Sequence, residues 1–486
     1  MNLKVIYNAL GKLLQVLALL MLLPLLVAFI YKESLNNKLN FIIPILVSGI
    51  LGSLMVKFGK ENGHIYTREA MFTTAFCWVL YSLIGAIPLF LTPTNYHSFL
   101  DAFFEMASGF TTCGASVAIN VELLPRSIIF WRSFSHLIGG MGILVFTLAI
   151  LPKQNKESAN LMQAEVPGPT FGKITPKASE TARWLYIIYL ALTMLTAIFL
   201  LFGGMDLFDS LIFAFGTAGT GGFANKAMSV GYYNSRYIEM VLAIFMLLFG
   251  VNFNLYYYAL VRKTKDSFKS EELKWFLRIV IISTILIFIN IAPNSENLGK
   301  TGVQTFFTVS SIITTTGFVS ADFGQWPLFS RNILMLLMFI GSCAGSTAGG
   351  IKISRITMLC KSAANQIRQT ISPMRVTVNK LDGKRVDEDL ENSVNKYFIV
   401  YILLFIIFMA IVTIDTNDME SAFSAVAATF NNIGPAIGQF GPVESFASMS
   451  NLSKFTLTFA MLFGRLELYP MILLFSPANY RRLNHK

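Results

Sequence analysis

Four glycines constrain this chain more than any other feature: Gly114, Gly222, Gly317 and Gly434. Each closes a short stretch containing Thr or Asn, namely TTCGAS (111–116), TAGTGGF (217–223), TTTGF (314–318) and FNNIGP (430–435). Each stretch lies between two long apolar runs, and the glycines are 108, 95 and 117 residues apart. A unit that recurs four times at such spacing is an internal structural repeat, of the kind that builds a path across a membrane. Backbone carbonyls replace a cation's water shell only where several strands converge on one axis, and four glycine-ended stretches can supply those strands. Turning successive carbonyls toward an axis needs positive φ, which glycine reaches without steric cost.

The 486 residues are 54% hydrophobic and 13% charged. Many of the apolar runs approach the ~20 residues that a spanning helix needs. The fold class expected is therefore an all-α polytopic membrane protein: four span–half-helix–filter–span repeats around one pore, plus two extra N-terminal spans. Ten spans are expected, near 10–31, 41–58, 70–92, 127–151, 181–203, 236–262, 273–292, 331–358, 396–414 and 453–475. The run 13–30 lacks a small-residue cleavage site and a second span follows it at once, so it is read as retained. The corresponding divisions are 1–62 for the extra spans, 63–155 for the first unit, and 156–265 for a cytoplasmic loop with the second. The third unit, with its broken last span, occupies 266–362, and a loop with the fourth occupies 363–486.

The net charge of +11 is explained by topology. Most of the 38 lysines and arginines fall in segments 1–12, 57–69, 152–183, 262–278, 352–396 and 481–486, which places these segments and both termini in the cytoplasm. The charge therefore gives no reason to expect nucleic acid as a partner; the bilayer is the expected environment. The long loops 152–183 and 352–396 are also candidate docking surfaces. Cys77, Cys113, Cys343 and Cys360 have no paired spacing, so neither a disulfide framework nor a zinc site is indicated.

Short apolar segments precede each glycine stretch at 99–110, 207–216, 303–313 and 422–429. They are too short to cross a bilayer and read as re-entrant half-helices, with irregular backbone tolerated only where protein or water surrounds it. Asp101, Asp206, Asp209, Asp415, Asp418 and Glu420 stand near their starts. They read as helix caps and as an anionic outer vestibule, and both can hold. The third unit has no such acid near Gln304.

The span 331–358 is interrupted by GSCAGSTAGG (341–350). Close helix packing through small residues is one reading. A ten-residue run of small residues exceeds what packing needs, so an intramembrane gate comprising Gly341, Gly345, Ser346, Thr347, Gly349 and Gly350 is the preferred one. Arg465 lies in mid-span, where a guanidinium costs about 2.5–3.5 kcal/mol or more. It requires partners: either Glu467 or carbonyls of the 341–350 loop beside the pore. His136 reads as a buried, hydrogen-bonded histidine or as a proton-coupling group.

Longer strings carry a resemblance. RSFSHLIGGMGILVFTLAILP (132–152), QAEVPGPTFGKITPKASETAR (163–183), GSCAGSTAGGIKISR (341–355), QIRQTISPMRVTVNKLDGKRV (366–386) and GRLELYP (464–470) resemble the Trk/Ktr/HKT superfamily of cation transporters, most like its bacterial Trk-type membrane subunits. The resemblance covers nearly the whole chain. It implies potassium as substrate, coordinated by carbonyls around Thr111, Thr112, Cys113 and Gly114; Thr220, Gly221 and Gly222; Thr315, Thr316 and Gly317; and Asn432, Ile433 and Gly434. Glycine at all four positions is the family pattern associated with potassium passage. The resemblance also implies a homodimer in the bacterial inner membrane and a separate cytosolic nucleotide-binding regulatory subunit. No P-loop or dinucleotide fingerprint occurs in this chain, and no cofactor is expected. Nor is an enzyme expected, since no HExxH pair, Ser/His/Asp set or metal cluster is present. Two readings stay open: a sodium-permeating or poorly selective pathway on the same scaffold, and a broken-helix solute symporter, which would show two inverted repeats rather than four units.

Overall fold

A computed structural model describes residues 2–60, 66–92, 95–143, 178–260, 270–374, 378–416 and 418–476. Among the described residues helices dominate, with one small antiparallel hairpin pairing Lys380–Leu381 with Lys384–Arg385. Six helices among the described residues are long and apolar enough to cross a membrane. Two of them, Leu3–Ile30 and Leu35–Phe58, precede everything else. The other four, Thr67–Phe90, Ala182–Phe202, Glu271–Asn294 and Glu388–Val412, each lead into a half-helix. These outer helices turn large apolar side chains outward. Ile281, Ile285 and Ile289 are more than half exposed while Phe276, Val280 and Ile287 on the same helix are buried. That arrangement suits lipid as solvent, because tails and core are equally apolar.

The half-helices are Phe99–Phe110, Leu207–Gly219, Leu298–Ile313 and Met419–Phe430. Each begins with a side chain that satisfies an orphan amide. Ser98 and Asp101 form a reciprocal capping box, Asp206 accepts from Asp209 N at 2.9 Å, and Asp418 accepts from Ser421 N at 2.7 Å. In the third unit Asn297 does the same for Lys300 N at 3.1 Å. That helix starts five residues earlier than the apolar run suggests, because its first turn is polar and its cap is an amide. The capping reading of the acids thus accounts for Asp101, Asp206 and Asp418. Asp415 serves the next helix instead, accepting from Ser450 N at 3.2 Å.

The helix after each glycine stretch is short: Arg126–Gly140, Arg236–Gly250, Leu328–Ile340 and Asn451–Arg465, of 15, 15, 13 and 15 residues. At 1.5 Å per residue they reach about 22 Å or less, short of a bilayer core of about 30 Å. An interruption was expected only in the third unit. The continuous spans expected at 236–262 and 453–475 are also broken. Arg236–Gly250 turns by 88° into Phe253–Leu260, and Asn451–Arg465 ends before Glu467 and Leu468, both at positive φ. The reason is tertiary. A Cβ at Gly139 would overlap Phe110 O and one at Gly464 would overlap Phe430 O, so these helices lie directly on half-helix ends. At Gly250 a Cβ would stand 3.0 Å from Thr314 Cγ2 and Ser342 Oγ. The inner part of span 127–151, most of loop 152–183, and the tail 481–486 lie outside the described residues.

The two extra helices cross at Gly11 and Gly52, where a Cβ on either would stand 2.6 or 2.8 Å from the other's carbonyl oxygen. Their connecting turn docks on the first unit, where Glu33 accepts from Ser127 N at 2.9 Å and Ser127 Oγ at 2.6 Å. Arg126 lies over Tyr31, 4.4 Å from the ring centroid. The ring of units is closed by a buried ion pair between the fourth and the first. Lys454 Nζ contacts Asp101 Oδ1 at 2.7 Å, with both side chains less than a tenth exposed. This contact neutralises Asp101, one of the six acids of the vestibule reading.

Removing one partner of a buried pair costs about 3–5 kcal/mol because the other charge is stranded. Lys454→Met is therefore expected to lower the unfolding temperature of the purified protein sharply. Adding Asp101→Asn should recover most of the loss, as measured by thermal denaturation in detergent. A double variant no better than the single one would contradict the pairing.

Candidate ion filter and gate

All four half-helices end in the same backbone turn. The residue two before each glycine is left-handed: Thr112 (φ 57°), Thr220 (φ 54°), Thr315 (φ 54°) and Asn432 (φ 56°). Their amides donate to the carbonyls of Gly109, Thr217, Ile312 and Thr429 at 3.0–3.2 Å. The next amides, of Cys113, Gly221, Thr316 and Ile433, donate to Ser108, Gly216, Ser311 and Ala428 at 2.7–2.9 Å. These two bonds form the Schellman pair that ends many helices, usually with Gly or Asn in the left-handed place. Here three of the four are Thr, β-branched, for which that region is an outlier. Left-handed backbone costs an ordinary residue about 1–2 kcal/mol. Strain of this kind clusters at functional sites, and here it recurs at three equivalent positions, which makes them candidates.

The segments then close on one another. A Cβ at Gly114 would overlap Gly221 O, one at Gly222 would overlap Thr316 O, and one at Gly317 would overlap Ile433 O. A Cβ at Gly434 would lie 2.7 Å from Cys113 O, which completes the circle. Every glycine thus abuts the carbonyl of the residue just before the glycine in the next segment. The four glycines have φ between 75° and 99°. Thr111, Thr112, Cys113, Thr220, Thr315, Thr316, Asn432 and Ile433 are all buried. The half-helices direct their C-terminal, partially negative ends at this ring, a polarity that favours a cation.

Each segment is held differently. In the first unit Glu105 accepts from Ser116 Oγ and Val117 N, both at 2.9 Å, and from Arg132 Nε at 2.8 Å. In the third, Ser311 Oγ donates to Phe318 O at 2.8 Å. In the fourth, Tyr401 OH donates to Asn431 Oδ1 at 2.8 Å and Asn432 Nδ2 to Met461 O at 3.2 Å. Cys113 Sγ reaches across to Ala428 O at 3.7 Å. Glu105 and Arg132 were not singled out in the sequence. Like Arg465, each is a charge inside an apolar run, and that signal is visible in the sequence.

Residues 341–352 form the loop that breaks the third unit, with positive φ at Gly341, Gly345, Gly350 and Lys352. The loop lies against the inner ends of the third and fourth segments. Ser342 Oγ donates to Ile313 O at 3.0 Å and Gly349 N to Thr315 Oγ1 at 2.7 Å. A Cβ at Gly349 would overlap Asn431 O. Ser346 Oγ bonds Cys343 O at 2.6 Å within the loop, and Thr347 Oγ1 donates to Phe249 O at 3.3 Å. The loop is also stitched to its neighbours by Cys343 N on Gly250 O (3.2 Å) and Phe253 N on Gly345 O (3.0 Å). Glu272 Oε1 accepts from Ala344 N (2.7 Å) and Ser354 N (3.1 Å). Lys352 Nζ donates to Ala348 O.

Arg465 is 6% exposed. It donates to Thr347 O at 2.6 Å in the loop, and to Gly139 O at 2.6 Å and Gly140 O at 2.5 Å in the first unit. Of the two partners expected for it, loop carbonyls are thus contacted, while Glu467 forms an ion pair with Arg355. One guanidinium ties together three of the four units. Chemically, the site offers a buried ring of closely approaching carbonyls, with a buried positive charge and a hydrogen-bonded loop beside it.

With this geometry in view, comparisons with known proteins agree along the chain. The TrkH family profile, described as a cation transport protein, matches residues 36–482. The Trk system potassium uptake protein TrkH of Escherichia coli K12 is 35% identical over 488 residues, covering 99% of this chain and 100% of that protein. The Trk system potassium uptake protein TrkG of the same organism is 34% identical over 481 residues, with 98% of each covered. The crystal structure of the potassium transporter TrkH from Vibrio parahaemolyticus superposes with a TM-score of 0.88 at 32% identity, covering 99% of this chain and 100% of that one. A family match over nearly the full length, full-length relatives above 30% identity and the shared fold lead to one conclusion: the chain belongs to the TrkH family of cation transport proteins.

Proposed function

We propose that this protein is the potassium-conducting membrane subunit of a Trk-type uptake system in a bacterial inner membrane, with both termini in the cytoplasm. The observation that carries the reading is the closed circle of glycine–carbonyl contacts among Gly114, Gly222, Gly317 and Gly434. Carbonyls packed this way can stand in for the hydration shell of a cation. Potassium rather than sodium is favoured by glycine at all four positions and by relatives named as potassium uptake proteins. In this reading the loop 341–352 is the gate and Arg465 is its latch. The guanidinium holds the loop by Thr347 O and places a positive charge on the inner path, which opposes cation passage while the latch is closed. The protein works as a homodimer, and a cytosolic nucleotide-binding subunit docks on the basic inner loops. Among the described residues these loops include the hairpin 380–385, packed through Leu381 and Val386 on Met358 and Val394.

The filter reading is tested by ⁸⁶Rb⁺ uptake in cells without other potassium uptake, with K⁺ and Na⁺ as competitors. K⁺ should block at concentrations at least about tenfold below Na⁺, a barrier difference of about 1.4 kcal/mol. Equal block by both ions would favour the poorly selective or sodium-permeating alternative. In Gly317→Ser the new Cβ meets Ile433 O, so the preference should shrink by about tenfold or uptake should be lost.

Arg465→Ala releases three carbonyls from one guanidinium. Basal uptake should then rise several-fold in membranes that lack the regulatory subunit, at unchanged K⁺/Na⁺ preference. Unchanged or lower flux in a normally inserted variant would remove Arg465 from the gate.

A further inference from the structure

Three of the four filter segments carry a side chain at the position just before the glycine: Cys113, Thr316 and Ile433. The second segment has Gly221 there, and glycines also at 219 and 222. It has the least side-chain material of its own with which to hold its carbonyls. The space beside it is filled from the first unit. A Cβ at Gly221 would run into Cγ, Nδ1 and Cδ2 of His136, so the imidazole packs where a side chain from the segment would stand. A Cβ at Gly219 would likewise overlap His136 O.

The ring is also bonded at both ends. His136 Nδ1 lies 2.8 Å from Gly109 O in the first half-helix, and Phe223 N donates to His136 Nε2 at 3.2 Å. A carbonyl can only accept and an amide N–H can only donate, so Nδ1 carries the proton and Nε2 is the acceptor. Phe223 follows Gly222 directly, and its ring lies between His136, at 4.4 Å between centroids, and the Arg132 guanidinium, at 4.2 Å. His136 is fully buried.

We propose that His136 is a positioning residue of the filter, which substitutes for the missing side chain of the second segment and fixes its carbonyls against the first. The inference rests on the filter reading above and goes one step further, to the group that sets the geometry of one quarter of the ring. Its mechanism is mechanical. One donor and one acceptor on a rigid five-membered ring set the separation between Gly109 O and Phe223 N, and through it the position of Gly221 O beside Gly114. Sub-ångström placement of ligand carbonyls decides how well a ring fits one ion over another, so the effect belongs in selectivity and apparent affinity.

Glutamine can keep both bonds, because one amide supplies an acceptor for Phe223 N–H and a donor for Gly109 O. Leucine fills similar space and supplies neither. In the ⁸⁶Rb⁺ uptake assay, at matched membrane abundance, His136→Leu should raise the half-blocking K⁺ concentration about tenfold and narrow the gap to Na⁺, whereas His136→Gln should stay within about threefold of wild type. If the Leu protein fails to insert, His136→Asn takes its place. Its shorter amide reaches Gly109 O but not Phe223 N, and it should be impaired where Gln is not. A well-inserted Leu or Asn variant with wild-type K⁺ and Na⁺ block would overturn the assignment. So would a Gln variant as impaired as Leu or Asn. Failure of the wild type itself to show K⁺-preferring uptake would overturn the filter reading instead, so the two are separable.

Discussion

The contact on which the rest of this structure depends is a glycine Cα resting against a neighbouring carbonyl oxygen, made four times in a circle. With no Cβ in the way, Gly114, Gly222, Gly317 and Gly434 allow four backbone segments to approach more closely than any other residue would permit. That proximity is what a dehydrated cation would require of its ligands. It also dictates what surrounds it. The half-helices must end in a tight turn just before the ring, and three threonines accept left-handed backbone to make that turn. The following helices must pass close behind the half-helix ends, and Gly139 and Gly464 leave room for Phe110 O and Phe430 O.

Crowding backbone into a membrane interior exposes polar groups that lipid cannot satisfy, so the protein must satisfy them itself. Buried charges carry much of this task. Glu105 with Arg132 braces the first segment, Lys454 with Asp101 joins the last unit to the first, and Glu272 accepts two amides at the loop 341–352. Arg465 meets three carbonyls that helix ends and loop leave open. Stranding any of these charges would be costly, so the same groups that satisfy the backbone also fix the four units relative to one another. In the proposed function the same guanidinium is the latch, and releasing its three carbonyls would free the loop.

Much of this was legible in the residues. Four half-helices, four glycine stretches, two leading spans and an interrupted third unit follow from apolar run length and glycine placement alone. The position of Arg465 in mid-span required buried partners before any contact was known. What escaped was decided by tertiary approach. Breaks after Gly250 and Arg465 come from helices lying against half-helix ends, and a single glycine in an apolar run does not announce that. The third half-helix begins at Leu298 behind an Asn cap, within a stretch whose lysine and glycines read as loop. His136 reads in sequence as a buried, hydrogen-bonded residue, and it is one. That its partners are the first half-helix and the second filter segment, 87 positions further along the chain at Phe223, is information only the fold contains.

The proposed function requires that the four segments bind a cation on their common axis. The most direct measurement is anomalous diffraction from crystals of the protein grown or soaked in Rb⁺. Anomalous density is expected on the axis, enclosed by the carbonyls of residues 111–113, 220–221, 315–316 and 432–433. Ordered Rb⁺ found only elsewhere, with that axis empty in crystals of protein active in uptake, would contradict it.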